Sequence, residues 1–338
     1  MLLQIQHDFF RPLFSLMSLT SNKIRIGTRT SKLALAQVEE VKSLLNPHLQ
    51  NFQIEIVPIT TSGDKIQDRN LADIGGKGLF IKELEESLIQ NKIDIAIHSA
   101  KDVPPFLHSS THLAAFTKRF DARDCFVSKK FDSIFDLPKS AIVGTSSARR
   151  KAILLRLRPD LQIVNFRGNV TTRLTKIEND EVDATILAVC GLERLGYEQN
   201  KISVACPLGY KNKNFIEKDM MLPAGGQGAL AIQSRKDNEK ISEILSKINH
   251  LETQICVKAE RTFLRGLGAS CSTPVAVHAI IENDLIHLKT MILENEGKEI
   301  FTTSLQGDAD LKSAIGLGTA AADKTKKEAA ELLKKIIN

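Results

Sequence analysis

An aspartate, a cysteine and a group of arginines stand out, because each sits where its side chain has little structural reason to be. Asp102 closes the apolar run KIDIAIHS and precedes Val103-Pro104-Pro105, whose rings fix the chain direction. Such an aspartate is either a turn residue bonding its own backbone or a carboxyl group beside Lys101 available for acid–base work. Cys271 lies in GASCSTP, a stretch of small residues after a helical pattern. Most lone cysteines belong to cores, whereas one in a glycine–serine loop is open to a cleft. Arg149 and Arg150 open the helical pattern ARRKAILLRLR, with Thr145 or Ser146 as its cap. Cations in a first turn oppose the helix dipole by about 0.3–1 kcal/mol each, while the free amides of that turn attract an anion. The pair therefore reads as an anion site, with outward-facing surface arginines as the alternative. The planar fork of arginine suits carboxylate or phosphate.

The charge pattern points the same way. From Lys23 to Val38 there are four basic residues and no acid, and from Gly144 to Arg173 seven basic residues against Asp160 alone. These stretches imply an anionic partner, against the plainer reading of a solvated basic face. Five cysteines without a CxxC pair argue against a disulfide framework and a zinc site, so no metal is expected and a reducing cytoplasm is. No run of 18 uncharged apolar residues suggests a membrane span. GGKGLF lacks the spacer and the Lys-Ser/Thr ending of a phosphate loop, which excludes a nucleotide site of that kind.

The elements that must position these residues alternate. KIRIG, FQIEIVPI and KIDIAIHS read as strands separated by the helical patterns KLALAQVEEVKSLL and GGKGLFIKELEESLI. A second unit follows, with strands CFVS, SAIVG, LQIVNF and DATILAVC around the helices ARRKAILLRLR and VTTRLTKIEND. This βαβ rhythm predicts parallel sheets with helices on both faces. Ligands of such sheets bind at the carboxyl ends of strands, where Arg29, Lys101, Asp102, Thr145, Ser147, Arg149, Arg150, Arg167 and Gly168 fall. After about Leu251 the rhythm changes to a helix, LETQICVKAERTFLRGL. Three strands follow, PVAVHAII, LIHLKTMIL and EIFTTSL, and then a closing helix over roughly Ala321 to Ile337.

Taken in order, IRIGTRTSKLALAQ, GGKGLFIKELE, DIAIHSAKDVP, IVGTSSARR, FRGNVTTRL, ILAVCGLERLG, LPAGGQGAL and GASCSTP resemble the hydroxymethylbilane synthase (porphobilinogen deaminase) family over residues 23 to 275. The resemblance implies two periplasmic-binding-protein-like α/β domains with mixed, mainly parallel sheets, plus a smaller α+β C-terminal domain. It divides the chain into an extension, 1–22, whose true start could be Met17; domain 1, 23–117 and 222–246; domain 2, 118–221; and domain 3, 247–338, which carries the cofactor cysteine. It implies a transferase that condenses four porphobilinogens head to tail with loss of ammonia, on a covalent dipyrromethane primer, and then releases linear hydroxymethylbilane by hydrolysis. In this sequence Cys271 matches the cofactor cysteine and Asp102 the catalytic acid. Lys101, Thr145, Ser147, Arg149, Arg150, Arg167 and Gly168 match cofactor-binding positions, and Arg25, Arg29, Ser31, Arg173 and Arg194 substrate-binding ones. Two departures are Ala100, where a larger apolar residue is usual and whose size would loosen the packing under Lys101, and a longer segment from Tyr197 to Leu222, expected as a surface excursion.

Two other classes compete. A periplasmic-type binding protein for anionic solutes would share the first two domains but would need a signal peptide and have no use for Cys271. A nucleic-acid binder would exploit the basic stretches, but the absence of Trp and the presence of only two Tyr leave few stacking platforms. The expected partner is porphobilinogen, with no nucleic acid, no membrane and a monomeric chain.

Overall fold

A computed structural model describes residues 23–49, 52–65, 81–197 and 215–337. The 1–22 extension, the GGKGLF loop, Cys206 and most of the 197–222 segment lie outside the described residues. Three sheets organise the rest.

The first sheet is built from β1 (Lys23–Thr28), β2 (Gln53–Pro58), β3 (Ile95–Ser99), β4 (Thr111–Phe116) and, much later, β10 (Leu230–Arg235). Helices α1 (Lys32–Leu45), α2 (Ser62–Lys65) and α3 (Lys82–Ile89) fall between its early strands. The second sheet uses β5 (Asp124–Ser128), β6 (Ile142–Gly144), β7 (Gln162–Val164), β8 (Ala184–Ala188) and β9 (Phe215–Ile216), with α4 (Ala148–Leu157), α5 (Val170–Glu178) and α6 (Val189–Arg194). After β10 come α7 (Glu239–Ser246) and α8 (Leu251–Leu267). Then a three-stranded meander of β11 (Val275–Glu282), β12 (Leu285–Leu293) and β13 (Ile300–Asp308) precedes α9 (Leu311–Glu328) and α10 (Ala330–Ile336).

The two five-stranded sheets have the same plan: β2-β1-β3-β10-β4 in one and β7-β6-β8-β5-β9 in the other. In each, one strand runs against its neighbours. β10 is antiparallel to both β3 and β4, and β5 to both β8 and β9. The sheets are thus mixed, where the βαβ rhythm alone predicted parallel ones. These two strands belong to the segments by which the chain passes from one sheet to the other and back, so their direction is set by the crossing. The Tyr197–Leu222 segment is also more than an excursion, since its end supplies β9, paired to β5 at Asp124 and Cys125.

Burial explains the elements. β3 is buried at Ile95, Ala96, Ile97 and His98, as a central strand covered on both faces must be. In β12 Ile286, Leu288 and Thr290 alternate inward, the period-two signature of a sheet covered on one face. α8 spans the length its pattern predicted; His250 caps its start and Gly268, at φ +67°, ends it in the left-handed conformation. Its Phe263 is fully buried against the third sheet. The closing helix is two helices, α9 and α10, broken at Ala329 (φ −126°, ψ 33°) and starting ten residues earlier than expected. The β12–β13 hairpin reaches back to the second sheet. Leu293 belongs to that sheet's core, and Lys151 and Arg156 of α4 bond Glu296 and Gly297 at the hairpin tip.

Candidate active site

Asp102 ends a single 3-10 turn, Ala100–Asp102, at the carboxyl end of β3, with its side chain exposed. The turn is held from beneath. The Ala100 amide donates to the Ala229 carbonyl at 3.0 Å, and the Arg261 guanidinium donates to the carbonyls of Val103 and Pro104 at 2.8 Å each. Ala100 does not loosen this region, because the Gly226 turn presses against it. A Cβ on Gly226 would meet Ala100 Cβ at 3.0 Å.

Lys101 is half-buried and its ammonium donates to Gln227 Oε1 at 3.3 Å. Burial pushes its pKa down, the adjacent Asp102 carboxylate opposes that, and Arg150 adds to it. Arg173, on the first turn of α5, is pushed down to about 10 by burial and by Arg150 and Arg167, with Asp102 again opposing. Cys271 sits at the tip of a turn closed by Thr273 N–H to Ser270 O at 3.1 Å, four residues past the end of α8. It is exposed, yet protein crowding around the loop raises its thiol pKa and the nearby Asp102 carboxylate raises it further. The Asp102 carboxylate thus acts on Lys101, Arg173 and Cys271, and Arg150 acts on Lys101 and Arg173, although these residues come from all three sheet units.

Arg149 and Arg150 are placed differently from the expectation. Both are buried, at 4% and 6% exposure, and both end on Asp124: Arg149 Nη2 on Oδ2 and Arg150 Nη2 on Oδ1, each at 2.7 Å. Their other Nη atoms donate to the carbonyls of Leu222 and Ile186. The two guanidiniums hold the Asp124 carboxyl far below its ordinary range. The anion implied by two cations in a helix's first turn is thus supplied by the chain itself. The cap is Ser147, whose Oγ accepts from Arg150 N–H, while Thr145 Oγ1 accepts from Ser147 N–H; neither Thr145 nor Ser146 caps α4.

Arg25 is not brought to the strand ends. It lies midway along β1, bonded to Asp94 and Asn91 before the start of β3, away from the carboxyl edge. Arg194 bridges the first two units. It donates to Glu40 of α1 at 2.7 Å and to the Gly228 carbonyl at 3.0 Å, and it stacks on Phe120 at 4.5 Å. Ser31 caps α1 through Ala34 N–H. Arg29 follows β1 and is half-buried. Gly168, at φ +117°, begins the turn into α5 after Arg167, where a Cβ would meet Thr172 at 2.8 Å.

Sequence reasoning missed Asp124, Gln227 and Gln37. Gln37 of α1 donates to Ser99 Oγ at 2.9 Å, at the end of β3. Asp124 reads from the sequence only as the polar start of a strand. Gln227 stands in LPAGGQGAL, a segment whose glycines stood out but whose amide did not.

Five cations of this group, Lys101, Arg149, Arg150, Arg167 and Arg173, meet two carboxylates, Asp102 and Asp124. The buried Nε atoms of Arg149, Arg150, Arg167 and Arg173 have no hydrogen-bond partner among the described residues. Buried donors are rarely left so, and this excess of positive charge suits a ligand with several carboxylates. A separate crevice of about 580 Å³ opens on the crossing between the units, lined by residues including Lys118, Arg119, Glu217 and His278; it contains none of these five cations and two carboxylates.

The chain matches the family model described as porphobilinogen deaminase, dipyromethane cofactor binding domain, over residues 24–243. It matches porphobilinogen deaminase, C-terminal domain, over residues 254–327. It is 46% identical to a porphobilinogen deaminase of Nitrobacter hamburgensis over 308 residues, 90% of this chain and 93% of that one. A porphobilinogen deaminase of Orientia tsutsugamushi is 46% identical over 300 residues, 88% and 96% of the two chains. Among solved structures, the periplasmic VFT2 domain of Bordetella pertussis BvgS is similar at a TM-score of 0.40 and 14% identity, covering 67% of this chain and 86% of that one. A YaeC-family lipoprotein of Enterococcus faecalis is similar at 0.40 and 15%, covering 69% and 93%. Likenesses of that strength bear on neither ligand nor function.

Proposed function

The chain belongs to the porphobilinogen deaminase family, and from that premise we propose that Asp102, the cations around it and Cys271 are the working parts of its active site. Its activity is hydroxymethylbilane synthesis. Four porphobilinogens are joined head to tail with loss of ammonia, and the linear product is released by hydrolysis. The enzyme is a transferase of tetrapyrrole biosynthesis and takes a dipyrromethane cofactor.

The residues present fit that cofactor. Each pyrrole ring carries an acetate and a propionate, so a two-ring group brings four carboxylates to a site with an excess of cations. In our reading Cys271 holds it covalently, and Lys101, Ser147, Arg149, Arg150, Arg167, Thr145 and Gly168 surround it. Asp124 shares the charge of Arg149 and Arg150, which leaves those two as braces with one net positive charge between them. When bound, the dipyrromethane supplies the terminal ring carbon from which the chain is extended.

The rest is the work of the chain's side chains. The Asp102 carboxyl group gives a proton to the leaving amine of porphobilinogen as the C–N bond breaks and its electron pair goes to nitrogen. The carboxylate left behind then offsets the positive charge spread over the pyrrole N–H. The exposed position of Asp102 lets it serve each incoming ring, while Arg29, Ser31 and Arg173 take substrate carboxylates. Arg25 and Arg194 are better suited to holding the fold, because their donors end on Asp94 and Glu40. The division into 23–117 with 222–246, 118–221 and 247–338, a monomeric state and a cytoplasmic location belong to the same reading. No helix among the described residues is long and apolar enough to cross a membrane.

The observation that carries this reading is that the Asp102 carboxylate acts on Lys101, Arg173 and Cys271 together. Its test is the intact mass of purified, active protein. The expected mass exceeds that of the chain by two linked pyrrole units, with the excess mapping to the peptide around Cys271. Active protein at the bare chain mass would overturn it.

A further inference from the structure

Gln227 joins the two halves of the site through a hydrogen-bond pattern that fixes its own orientation. The side chain is buried, at 1% exposure. Its amide nitrogen donates to Asp124 Oδ1 at 3.0 Å and to the Ala122 carbonyl at 2.7 Å. Both partners are acceptors, so the nitrogen must face them and Oε1 must face Lys101, whose Nζ lies 3.3 Å away. The turn that carries Gln227 has little freedom. Gly226 (φ +79°) and Gly228 (φ +95°) flank it in the left-handed region. A Cβ on Gly226 would stand 2.8 Å from the Ala100 carbonyl carbon and 2.9 Å from Lys101 N, and one on Gly228 2.5 Å from Phe120 O. The Gly226 N–H also donates to Glu260 Oε2 at 2.6 Å. The turn is thus in backbone contact with the segment bearing Lys101 and Asp102, while its one long side chain reaches the carboxylate that braces Arg149 and Arg150.

Among the described residues Lys101 forms no ion pair, and its hydrogen-bond acceptor is a neutral amide. We propose that Gln227 is a positioning residue for porphobilinogen condensation: a neutral tether that aims the Lys101 ammonium into the cleft beside Asp102 and leaves its charge uncompensated for a pyrrole carboxylate. Neutrality is the essential property. A glutamate at 227 would compensate Lys101 internally and set a second carboxylate against Asp124. A methionine would fill the space and leave both Lys101 and Asp124 one partner short. The inference rests on the reading that Lys101 takes a carboxylate of substrate or cofactor.

The charged and titratable groups facing Lys101 are Asp102 beside it, Arg150 of α4, Asp124 of β5 and Cys190 of α6. All of them stay in place in Gln227→Met and Gln227→Glu, so a change in the Lys101 titration reports on residue 227. Both variants, Lys101→Met and the double variant Lys101→Met/Gln227→Met are scored for pyrrole adduct by intact mass. The loaded fraction is then assayed for kcat and KM across pH with porphobilinogen. A lost charge-assisted contact predicts a KM raised roughly tenfold or more in Gln227→Met, or an equal loss of adduct. The alkaline limb of kcat/KM moves to lower pH in Gln227→Met and to higher pH in Gln227→Glu, opposite shifts that a merely structural residue would not give. In the Lys101→Met background Gln227→Met should move the alkaline limb no further, since the titrating ammonium is gone. Unaltered KM, adduct and pH profile in both Gln227 variants, beside a defective Lys101→Met, overturns the tether alone, as does a further shift of that limb in the double variant. Unaltered KM and adduct in Lys101→Met overturns the reading beneath it. The Glu variant keeps the side-chain shape, so the pH test stands where Gln227→Met fails to fold.

Discussion

Arg149 meets Asp124 at 2.7 Å in a place that neither side chain shares with solvent, at 5% and 0% side-chain exposure. A carboxylate so placed, with Arg150 on its second oxygen, is a fixed part of the structure. Removing one member of a buried pair leaves the others unpaired and typically destabilises by about 3–5 kcal/mol. Asp124→Asn should therefore lower the unfolding free energy of the apoprotein by that order, read as a lower urea midpoint, and impair adduct formation. Unfolding curves with and without adduct separate the two effects, and an unchanged midpoint would contradict the assigned bracing role.

Replacing Asp102 should act on rate and leave the fold intact, since its side chain is exposed and its turn is held by Arg261 and Ala229. Asp102→Asn removes the proton and keeps the shape, for an expected loss of roughly 10²–10⁴ in turnover. Steady-state release of ammonia from porphobilinogen measures it. Near-full turnover would remove Asp102 from the mechanism.

Cys271 should be the single site of pyrrole attachment. Cys125, Cys190 and Cys256 are buried, where a bulky adduct has no room, whereas Cys271 is exposed. Cys271→Ser should lack the adduct and all turnover, and it should unfold more readily than loaded protein because the group adds stability to the native state alone. Cys125→Ser, Cys190→Ala and Cys256→Ala should keep the adduct. Peptide mapping that places it elsewhere would refute the assignment.

The arginines should fall into two groups. Arg149→Leu and Arg150→Leu strip Asp124 of a partner and should fail at stability and cofactor attachment together. Arg167→Gln and Arg173→Gln touch guanidiniums that form no ion pair among the described residues, whereas Arg149 and Arg150 are paired with Asp124. They should retain the adduct, slow elongation and let enzyme-bound intermediates accumulate. A ladder of intermediates on native gels distinguishes the groups; one identical pattern in all four variants would merge them.

Glu260 gives the pH prediction. It is fully buried, accepts two bonds from Arg119 and one each from the backbone N–H of Gly226 and Ala279, and is held down to about 2. A carboxyl lowered on folding contributes stability that is present above its unfolded value near 4.3 and is lost as pH falls from there toward 2. Urea midpoints should drop through that window in the parent chain and drop less in Glu260→Gln, which starts lower at neutral pH. Parallel pH curves would show that Glu260 does not carry this term.

Much of this was legible because it is local. The 3.6-residue period of LETQICVKAERTFLRGL and the glycine after it define α8, and the alternation in LIHLKTMIL defines β12. What could not be read was decided at long range. β10 hides behind GGQG, so LPAGGQGAL looks like a loop until Leu230 pairs with Ser99. Dipole reasoning found that Arg149 and Arg150 require an anion, but the anion is Asp124 on a strand of the opposite direction, which no helical spacing reveals. Arg25 and Arg194 carry the same residue type as Arg167. Only the tertiary neighbours Asp94 and Glu40 distinguish an arginine bound into the fold from one with an open donor.

The position of β10 also fixes an order of assembly during synthesis. The second sheet is complete in the chain once Ile216 has been made, whereas the first lacks an inner strand until residues 230–235 emerge, and until then β4 has no neighbour in its sheet. Domains generally fold from the amino terminus as they are made; here the downstream unit can close first. A nascent chain halted before Leu230 would hold all five strands of the second sheet, still without Leu293 in its core, beside an open edge of the first sheet. Asp102 would follow a strand, β3, whose antiparallel partner does not yet exist, so the acid is seated only after the arginine helix α4 has been made.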